Sequence, residues 1–503
     1  MSGNQDLITR KTNHFKETLT DGSNFCVSWE MVVTPGENRK ILDSATRIAT
    51  SGRIQAISLT DNAGGRPASS PALLAKEIKK LGVEPLVHLA CRDRNRNDVE
   101  SLLLGLSEAD IRNILIISGD YPLSGISGLP KPVFDLDPVT TLELISRLKS
   151  LYEAFDIFAG VAFSPFKKLE GELMGQYYKL EKKLRAGALF AITQVGYDAR
   201  KMHEVVQWFK RRGIDIPVMA NVYVLTYPVA MAMSENQLPG CVVSKELVEQ
   251  LAKERQLPDK GKAARLLRAA KMYTMAKGMG YSGVHIEGPL LDYDSVSFII
   301  EKGEELYPRW EEIVEEFSYP REGFYYYFLK DDKTGLNASE ETPRLAKGKA
   351  PFIYRFSRWS YSLFFRPHGL FFSVLKTFAG WASKRAWLGA MVGFFEHRFK
   401  GAIYGCEQCG DCALPDVAYI CPLSGCPKNE RNGPCGGSFD GWCEVYPGQR
   451  RCIWVEAYNR LKSYHEEGVL GGCVVPPQDW SLKGTSSWFN YYLGKDHTGK
   501  KLK

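Results

Sequence analysis

Cysteine is distributed very unevenly along this chain, and its clustering is the clearest chemical signal in the sequence. Nine of the twelve cysteines lie between Cys406 and Cys473, whereas Cys26, Cys91 and Cys241 are scattered through the first four hundred residues. The first residues lack the apolar core of a secretion signal. Thiols at this density therefore indicate metal ligands in a reducing compartment, and not a disulfide framework.

The first of these cysteines have the spacing of metal ligands. Cys406-x2-Cys409-x2-Cys412 is followed after eight residues by Cys421-Pro422, a pattern that resembles bacterial [4Fe–4S] ligation with a longer last gap. Glycines beside the thiols suit an iron–sulfur cluster or tetrahedral zinc, and we favour iron–sulfur. The predicted ligands are Cys406, Cys409, Cys412, Cys421, Cys426, Cys435, Cys443 and Cys452.

A second group of polar residues stands at the ends of apolar, β-branched runs in the first three hundred residues. Its members are Glu30, Thr60, His88, Ser118, Gly119, Asp120, Gln194, His285 and Glu287. Any one of them could be a satisfied structural residue, but six run ends with such residues indicate one shared site. Trp29 and Met31 should desolvate Glu30, which favours the neutral form of its carboxyl and suits a general acid. Asp120 follows a glycine in a polar turn and should ionise more easily.

The elements that would position these residues alternate in a regular way. Eight strand candidates are separated by amphipathic stretches such as 137–155, which begins with Asp-Pro. The candidates cover 25–32, 53–60, 84–91, 112–118, 155–163, 188–195, 216–224 and 282–288. Their apolar residues do not alternate, as expected for parallel strands that are covered on both faces. Because no GxGxxG follows the first strand, the pattern predicts an α/β fold, a (β/α)8 TIM barrel, and not a Rossmann domain.

The domain organisation follows from changes in composition. We predict the barrel over 20–310, a charged connecting segment over 311–350, an aromatic-rich helical segment over 351–400, and a cysteine-rich metal-binding domain with its tail over 401–503. We expect the aromatic residues of 351–400 to pack internally, although they could cover a cofactor or touch a membrane surface or a partner. No stretch of 18 uncharged apolar residues exists, so we expect a cytoplasmic protein without a transmembrane segment. The net charge of +7 is small for 503 residues and gives little reason to expect a nucleic-acid partner.

Four segments, taken in order, resemble the methylenetetrahydrofolate reductase family. They are FCVSWEMVVTPGEN, ISLTDNAGG, LVHLACRDRNRNDVESLLLGLSEADIRNILIISGD and KLEKKLRAGALFAITQVGYD, and the resemblance extends over roughly residues 20 to 300. The cysteine-rich region resembles a C-terminal domain attached to, or encoded beside, some bacterial members. There the resemblance implies a role in passing electrons or docking a partner.

The resemblance implies flavin-dependent reduction of 5,10-methylenetetrahydrofolate to 5-methyltetrahydrofolate. Glu30 would be the general acid, Asp120 would stabilise the cationic intermediate and bind substrate, and Gln194 would contact the folate. The flavin, FAD by family default or FMN, would be held by Thr60, His88, Ser118, Gly119, Asp120, Gln176, Lys179, Lys182 and Lys183. The sequence departs from the family pattern at Ser118, where arginine is common, at Gln176, where an acidic residue contacts the ribose, and in the run HIEGPLLDYD.

The electron donor and the assembly stay open at this stage. NADH or NADPH is the usual reductant of the family, whereas ferredoxin or a partner flavoprotein would suit a cysteine-rich module. We expect a homo-oligomer or a member of a complex. Two alternatives remain, an electron-transfer or assembly subunit that connects a partner to a folate site, and a pterin-linked methyltransferase barrel whose cysteines bind zinc.

Overall fold

The first three hundred residues form a closed barrel of eight parallel strands in sequential order, β1 to β8. The computed structural model describes residues 12–343, 348–367 and 369–500. The strands are Cys26–Met31, Ala56–Leu59, Glu84–Ala90, Asn113–Ile117, Phe158–Phe163, Phe190–Thr193, Val218–Tyr223 and Gly283–Glu287. Each lies within one of the eight predicted runs, and the barrel closes where β1 pairs with β8. The predicted TIM barrel is therefore confirmed.

Helices surround the barrel because their apolar residues face the strands. The helices of this part, α1 to α12, are His14–Asp21, Asn38–Ser51, Pro71–Lys80, Arg96–Glu108, Pro138–Leu151, Glu170–Arg185, Ala199–Arg212, Tyr227–Ser234, Lys245–Glu254, Lys262–Met279, Tyr293–Leu306 and Trp310–Ile313. The Asp-Pro signal at the start of α5 is a true N-terminus, because the Asp137 side chain accepts a hydrogen bond from Thr140 N.

Helix α1 closes the end of the barrel opposite the expected active site. The Phe15 ring packs edge-on against Phe158 and Phe190, with centroid distances of 6.3 and 5.6 Å. These rings belong to a separate buried cluster within the barrel. The polar residues at the strand ends therefore lie at the other end of the barrel, the mouth formed by the carboxyl ends of the strands.

The segment that follows the barrel packs on helix α7. It contains a two-stranded antiparallel sheet, β9 (Phe328–Lys330) and β10 (Asn337–Glu341). The buried Lys201 Nζ donates to the Tyr325 carbonyl at 2.6 Å, and the Tyr327 amide donates to Glu204. The segment is thus fixed to the barrel surface.

The remaining helices belong to the C-terminal module. They are α13 to α19, at Phe352–Ser360, Phe372–Ala382, Ala386–Tyr404, Pro422–Gly425, Ile453–Lys462, Ser487–Tyr492 and His497–Lys500. A π-helical turn, Tyr361–Phe365, follows α13. Among the described residues no helix combines the length and apolarity needed to cross a bilayer.

Candidate active site and cysteine centres

Glu30 lies at the barrel mouth, within reach of two histidines. Its Oε2 atom lies 3.4 Å from His285 Nε2 and 3.7 Å from His88 Nε2. Each imidazole is also held by a serine, because Ser28 Oγ lies 2.8 Å from His285 Nδ1 and Ser58 Oγ lies 2.7 Å from His88 Nε2. Strands β1, β3 and β8 therefore position these three side chains through one hydrogen-bonded network.

The electrostatics of the mouth favour a protonated carboxyl. Burial raises the pKa of Glu30, a hydrogen bond with Glu287 lowers it in part, and the nearby charge of Asp120 raises it again. Burial also raises the pKa of Glu287 well above its usual value, and the negative charge of Glu30 raises it further. Burial lowers the pKa of His88 to about 3 and keeps it neutral, while the pKa of His285 is also lowered by burial. Burial thus favours the neutral form of both carboxyl groups and of both imidazoles.

Asp120 and Gln194 reach the same mouth from strands β4 and β6. Asp120 is exposed, and its Oδ2 accepts a hydrogen bond from the Gly64 amide at 2.9 Å. Gln194 is half-buried, and its Oε1 accepts from the Val195 amide, so its amide nitrogen stays available to face the mouth. Glu30, Asp120 and Gln194 hence come from three strands to one partly open side of the barrel.

The residues predicted for the flavin ring divide between the mouth and its rim. Thr60 Oγ1 accepts a hydrogen bond from the Val33 amide at 3.0 Å, which ties β2 to the loop after β1. Gly119 has φ of 85°, and a side chain at this position would press on Ala90 and Arg92. Glycine is therefore required where the chain turns between β4 and Asp120.

The predicted phosphate-binding residues lie on helix α6 and are buried. Lys183 Nζ donates to the Ala162 carbonyl at 2.6 Å, and burial lowers the pKa of Lys183 to about 7. Lys182 is buried beside it. Gln176 Oε1 accepts from the Ser164 amide, whereas its Nε2 is buried without a hydrogen-bond partner among the described residues.

Lys179 and Ser118 are already bonded to a residue of the C-terminal module. Lys179 Nζ lies 2.6 Å from Glu430 Oε2, with both side chains almost fully buried, and Ser118 Oγ donates to the other oxygen of the same carboxylate. Glu430 is in turn held by Trp454, whose indole donates to its carbonyl at 3.2 Å. The side chains of two of the nine predicted cofactor-binding residues are consequently used in docking the module.

The module covers this side of the mouth through further buried contacts. Lys428 Nζ donates to the Gly119 carbonyl at 2.7 Å, and Lys167 Nζ donates to the Ser438 carbonyl at 2.7 Å. Asn432 Nδ2 donates to Asp137 Oδ2 at 2.9 Å. Sequence reasoning did not single out these residues, because nothing in their local pattern indicates a contact over several hundred positions.

The eight predicted cysteine ligands separate into two sets of four. One cavity is lined by Cys406, Cys409, Cys412 and Cys421, which we call the first cysteine site. Another is lined by Cys426, Cys435, Cys443 and Cys452, the second cysteine site. Cys473 is exposed and lines neither. Four thiols around one cavity match the donor set of a [4Fe–4S] cluster. Among the described residues no three cysteine sulfurs lie within 4.8 Å of one another, as the ligands of one tetrahedral zinc ion would.

Cations accompany both cysteine sites. At the first site, Lys400 Nζ lies 3.2 Å from Cys412 Sγ and is held by Glu396 and by Ser487. At the second, Lys428 forms a buried ion pair with Glu444. A metal centre with four thiolates carries net negative charge, so a buried ammonium group beside it is electrostatically favourable. The residues present thus fit a metal centre in each set.

The two sites are close to one another and differ in position. The single helical turn α16 (Pro422–Gly425) separates Cys421 from Cys426. Because one helical turn lies between them, the Cα atoms of Cys421 and Cys426 are on the order of 10 Å apart. The second site adjoins the barrel mouth through Lys428, and the first adjoins a cavity of about 480 Å³ with mostly aromatic walls, which includes Cys412 in its lining.

Some polar residues on the barrel strands lie at the mouth but were not among the predicted catalytic or binding residues. Asn221, on β7, donates from Nδ2 to Glu287 Oε1 at 2.7 Å, while its Oδ1 is buried without a partner among the described residues. Glu287 and His285 stand in the strand-eight run, where their polar character was visible. Asn221 could have been found in the same way, since it interrupts an otherwise apolar strand.

The fold and this site define a class of protein, a TIM barrel with a buried carboxyl of raised pKa at its mouth and a cysteine-rich module docked on the rim. The family model described as methylenetetrahydrofolate reductase matches residues 14–288, more than half of the chain. A second model, described as methylenetetrahydrofolate reductase C terminal, matches residues 389–481. The chain belongs to the methylenetetrahydrofolate reductase family.

Curated relatives share only part of this chain. A yeast protein, methylenetetrahydrofolate reductase 2 from Saccharomyces cerevisiae, is 29% identical over 197 residues, which cover 37% of this chain and 32% of the relative. The 5,10-methylenetetrahydrofolate reductase of Pectobacterium carotovorum is 28% identical over 168 residues, 33% of this chain and 52% of the relative. The match thus spans about a third to a half of the length of these relatives.

A solved structure aligns with part of this chain at low sequence identity. A Clostridium thermocellum protein, described as uncharacterized and as binding two copies of 5-methyl-5,6,7,8-tetrahydrofolic acid, aligns at 12% identity with a TM-score of 0.41. That alignment covers 58% of this chain and 99% of the other.

Proposed function

We propose that this protein reduces 5,10-methylenetetrahydrofolate to 5-methyltetrahydrofolate. The observation that carries the proposal is the Glu30 carboxyl, whose pKa is raised by burial at a barrel mouth that Asp120 and Gln194 also line. Membership of the family supports the reaction class. A carboxyl that stays protonated near neutral pH is what opening of the imidazolidine ring of the substrate requires.

The residues of the mouth divide the work on the substrate. Glu30 gives its proton to the ring nitrogen that leaves the bridging carbon, and the product of this opening is an iminium cation. Asp120 places a carboxylate beside that cation and stabilises it electrostatically. Gln194 orients the pterin through its side-chain amide. Glu287 shares a proton with Glu30 and so keeps the acid supplied.

A flavin, when bound, supplies the hydride that reduces the iminium carbon. Thr60, His88, Gly119 and Asp120 would surround its ring, and the unpartnered Gln176 Nε2 offers a buried donor for its ribityl or ribose oxygens. Lys182 and Lys183 would hold phosphate. Lys179 and Ser118 would not contribute in this arrangement, because Glu430 binds both. FAD stays the expected flavin, with FMN as the alternative that needs fewer phosphate contacts.

The docked module favours a redox partner over direct reduction by NAD(P)H. The second cysteine site adjoins the turn of Gly119 and Asp120, and one helical turn of the chain separates it from the first. Two [4Fe–4S] clusters at these positions would pass electrons singly toward the barrel. If zinc occupies the sites, the module is structural and a nicotinamide must reduce the flavin.

A test begins with protein purified without oxygen. We expect bound flavin, about eight iron and eight sulfide per chain as two four-iron clusters contain, and reoxidation of the reduced flavin by methylenetetrahydrofolate. Stoichiometric zinc in place of iron would remove the electron route but leave the reaction. Protein that binds neither FAD nor FMN and produces no methyltetrahydrofolate contradicts the proposed function.

A further inference from the structure

The aromatic-rich segment exposes large aromatic side chains at a far higher density than the other described residues. Of the eleven Phe and Trp side chains that are exposed among the described residues, nine lie on residues 352–399. They are Phe352, Trp359, Phe371, Phe378, Trp381, Trp387, Phe394, Phe395 and Phe399. The expectation that these aromatics pack internally is therefore wrong for one side of the segment. A patch of this kind marks an interaction surface.

The exposed side chains form stripes along the helices. On α15, Trp387, Met391, Phe394, Phe395 and Phe399 follow the spacing of one helical face. On α14, Val374, Phe378 and Trp381 do the same. We call these two stripes, together with Phe352 and Trp359 of α13, the outer face.

The side of these helices that adjoins the outer face is already occupied. Ala379, Ala382 and Leu388 are buried against Phe489 and Tyr492 of α18, in a small core of their own. The segment is thus anchored to α18 along one edge of the outer face, where Phe378 and Phe399 also contact Phe489 and Trp488. Within the described part of the chain, the side chains of the outer face stay exposed, so a partner can reach them.

The charge of the segment identifies the chemistry of that partner. Between residues 351 and 404 there are eight Lys and Arg against one acidic residue, Glu396, and this excess of seven equals the net charge of the whole chain. Glu396 is buried and paired with Lys400. The charges that the segment exposes are all cationic: Arg355, Arg366, Lys376, Lys384, Arg385 and Arg398.

We propose that the outer face binds the surface of a bilayer that contains anionic lipids. Trp and Phe insert at the level of the headgroups, and the cations around them attract anionic headgroups. Arg385 already stacks on the Trp381 ring at 4.0 Å, so cation and aromatic ring are held together at one end of α14. A second copy of this chain would bring six cations against six more, which disfavours self-association through this face.

Vesicle flotation of the full chain tests the proposal. We expect the protein to float with phosphatidylcholine vesicles that contain phosphatidylglycerol, and to bind pure phosphatidylcholine vesicles more weakly. Added salt should weaken the first interaction, because exposed charges are screened. Protein that stays with the soluble fraction in both cases overturns the proposal.

Variants locate the contact. The triple variant Trp387→Ser, Phe394→Ser, Phe395→Ser should lose flotation, while the matched variant Leu73→Ser, Leu151→Ser, Phe298→Ser, which removes exposed apolar side chains from the barrel, should float like wild type. Lys376→Gln and Lys384→Gln should each lower the partition coefficient about five-fold, the equivalent of about 1 kcal/mol. Lys210→Gln and Lys253→Gln are the charge controls.

Two readouts separate membrane binding from other roles of this face. Circular dichroism should show the same thermal transition for all variants, since only exposed side chains change. Sedimentation velocity should show an unchanged oligomeric state. If the triple variant instead dissociates an oligomer that does not bind vesicles, the outer face is a subunit interface and the proposal is wrong.

Discussion

Replacement of Glu30 by glutamine removes the acidic proton of this side chain while keeping its size and shape. Glutamine has nearly the same volume, and its carboxamide can keep a hydrogen bond at the position that now lies 3.4 Å from His285 Nε2. It cannot donate an acidic proton to the substrate. General acid catalysis contributes about 10² to 10⁴ in rate, which corresponds to about 3 to 5 kcal/mol of activation free energy. We therefore expect Glu30→Gln to slow the reduction of methylenetetrahydrofolate by at least about a hundred-fold.

The buried position of Glu30 determines how the wild-type rate depends on pH. At its ordinary pKa of 4.5 a glutamate is only about 0.3% protonated at pH 7. Each unit by which burial raises that pKa increases the protonated fraction about ten-fold. The rate should be constant at low pH and fall as the pH rises through the raised pKa of Glu30, whereas the residual rate of Glu30→Gln should lack this decrease.

Anaerobic stopped-flow spectroscopy separates the two half-reactions. The flavin is first reduced photochemically, and its reoxidation by methylenetetrahydrofolate is then followed by absorbance. Glu30→Gln should lose this step but retain flavin reduction by the donor, and Glu77→Gln on the surface of α3 should behave as wild type. A Glu30→Gln enzyme that reoxidises as fast as wild type, or a wild-type rate that increases with pH, would refute the role of Glu30 as acid.

Three further changes test other parts of the site. Asp120→Asn removes the carboxylate from the mouth and should slow flavin reoxidation by the folate about ten-fold or more, while an unchanged rate excludes Asp120 from the reaction. Cys406 and Cys435 line different cavities, so Cys406→Ser and Cys435→Ser should each remove about one of the two metal centres. Elemental analysis measures this loss. If both variants lose all of their metal, or neither loses any, the two centres are not independent. Flavin affinity should weaken as the pH rises above about 7, where Lys183 loses its proton, by at most about ten-fold per pH unit, and Lys183→Met should abolish that dependence in a fluorescence titration.

The local pattern of the sequence was sufficient to predict the barrel. Each of the eight strands lies inside a run of apolar and β-branched residues, and each run is followed by an amphipathic stretch long enough for a crossover helix. A parallel sheet buried on both faces leaves this trace in any window of the sequence. The polar residues that interrupt the ends of those runs, Glu30 and Asp120 among them, were visible for the same reason.

Spacing grouped Cys406, Cys409, Cys412 and Cys421, which line one cavity, but it did not show that the four later cysteines form a second set. Cys421 and Cys426 are five residues apart and belong to different sites, whereas Cys409 and Cys421 are twelve apart and line the same cavity. The turn α16 makes the difference, because it directs the chain away from one cavity and into the next. Distance along the chain says little about distance in space where loops are long.

The sequence by itself determined the elements, the strand-end acid and the presence of a thiol-rich module, because each depends on residue types within a few positions of one another. Only the tertiary structure decided that Glu430 reaches Lys179 and Ser118, that Glu287 lies beside Glu30, and that the aromatic helices turn one face outward. These contacts join positions up to 312 residues apart. The packing of the whole chain, and no local preference, brings them together.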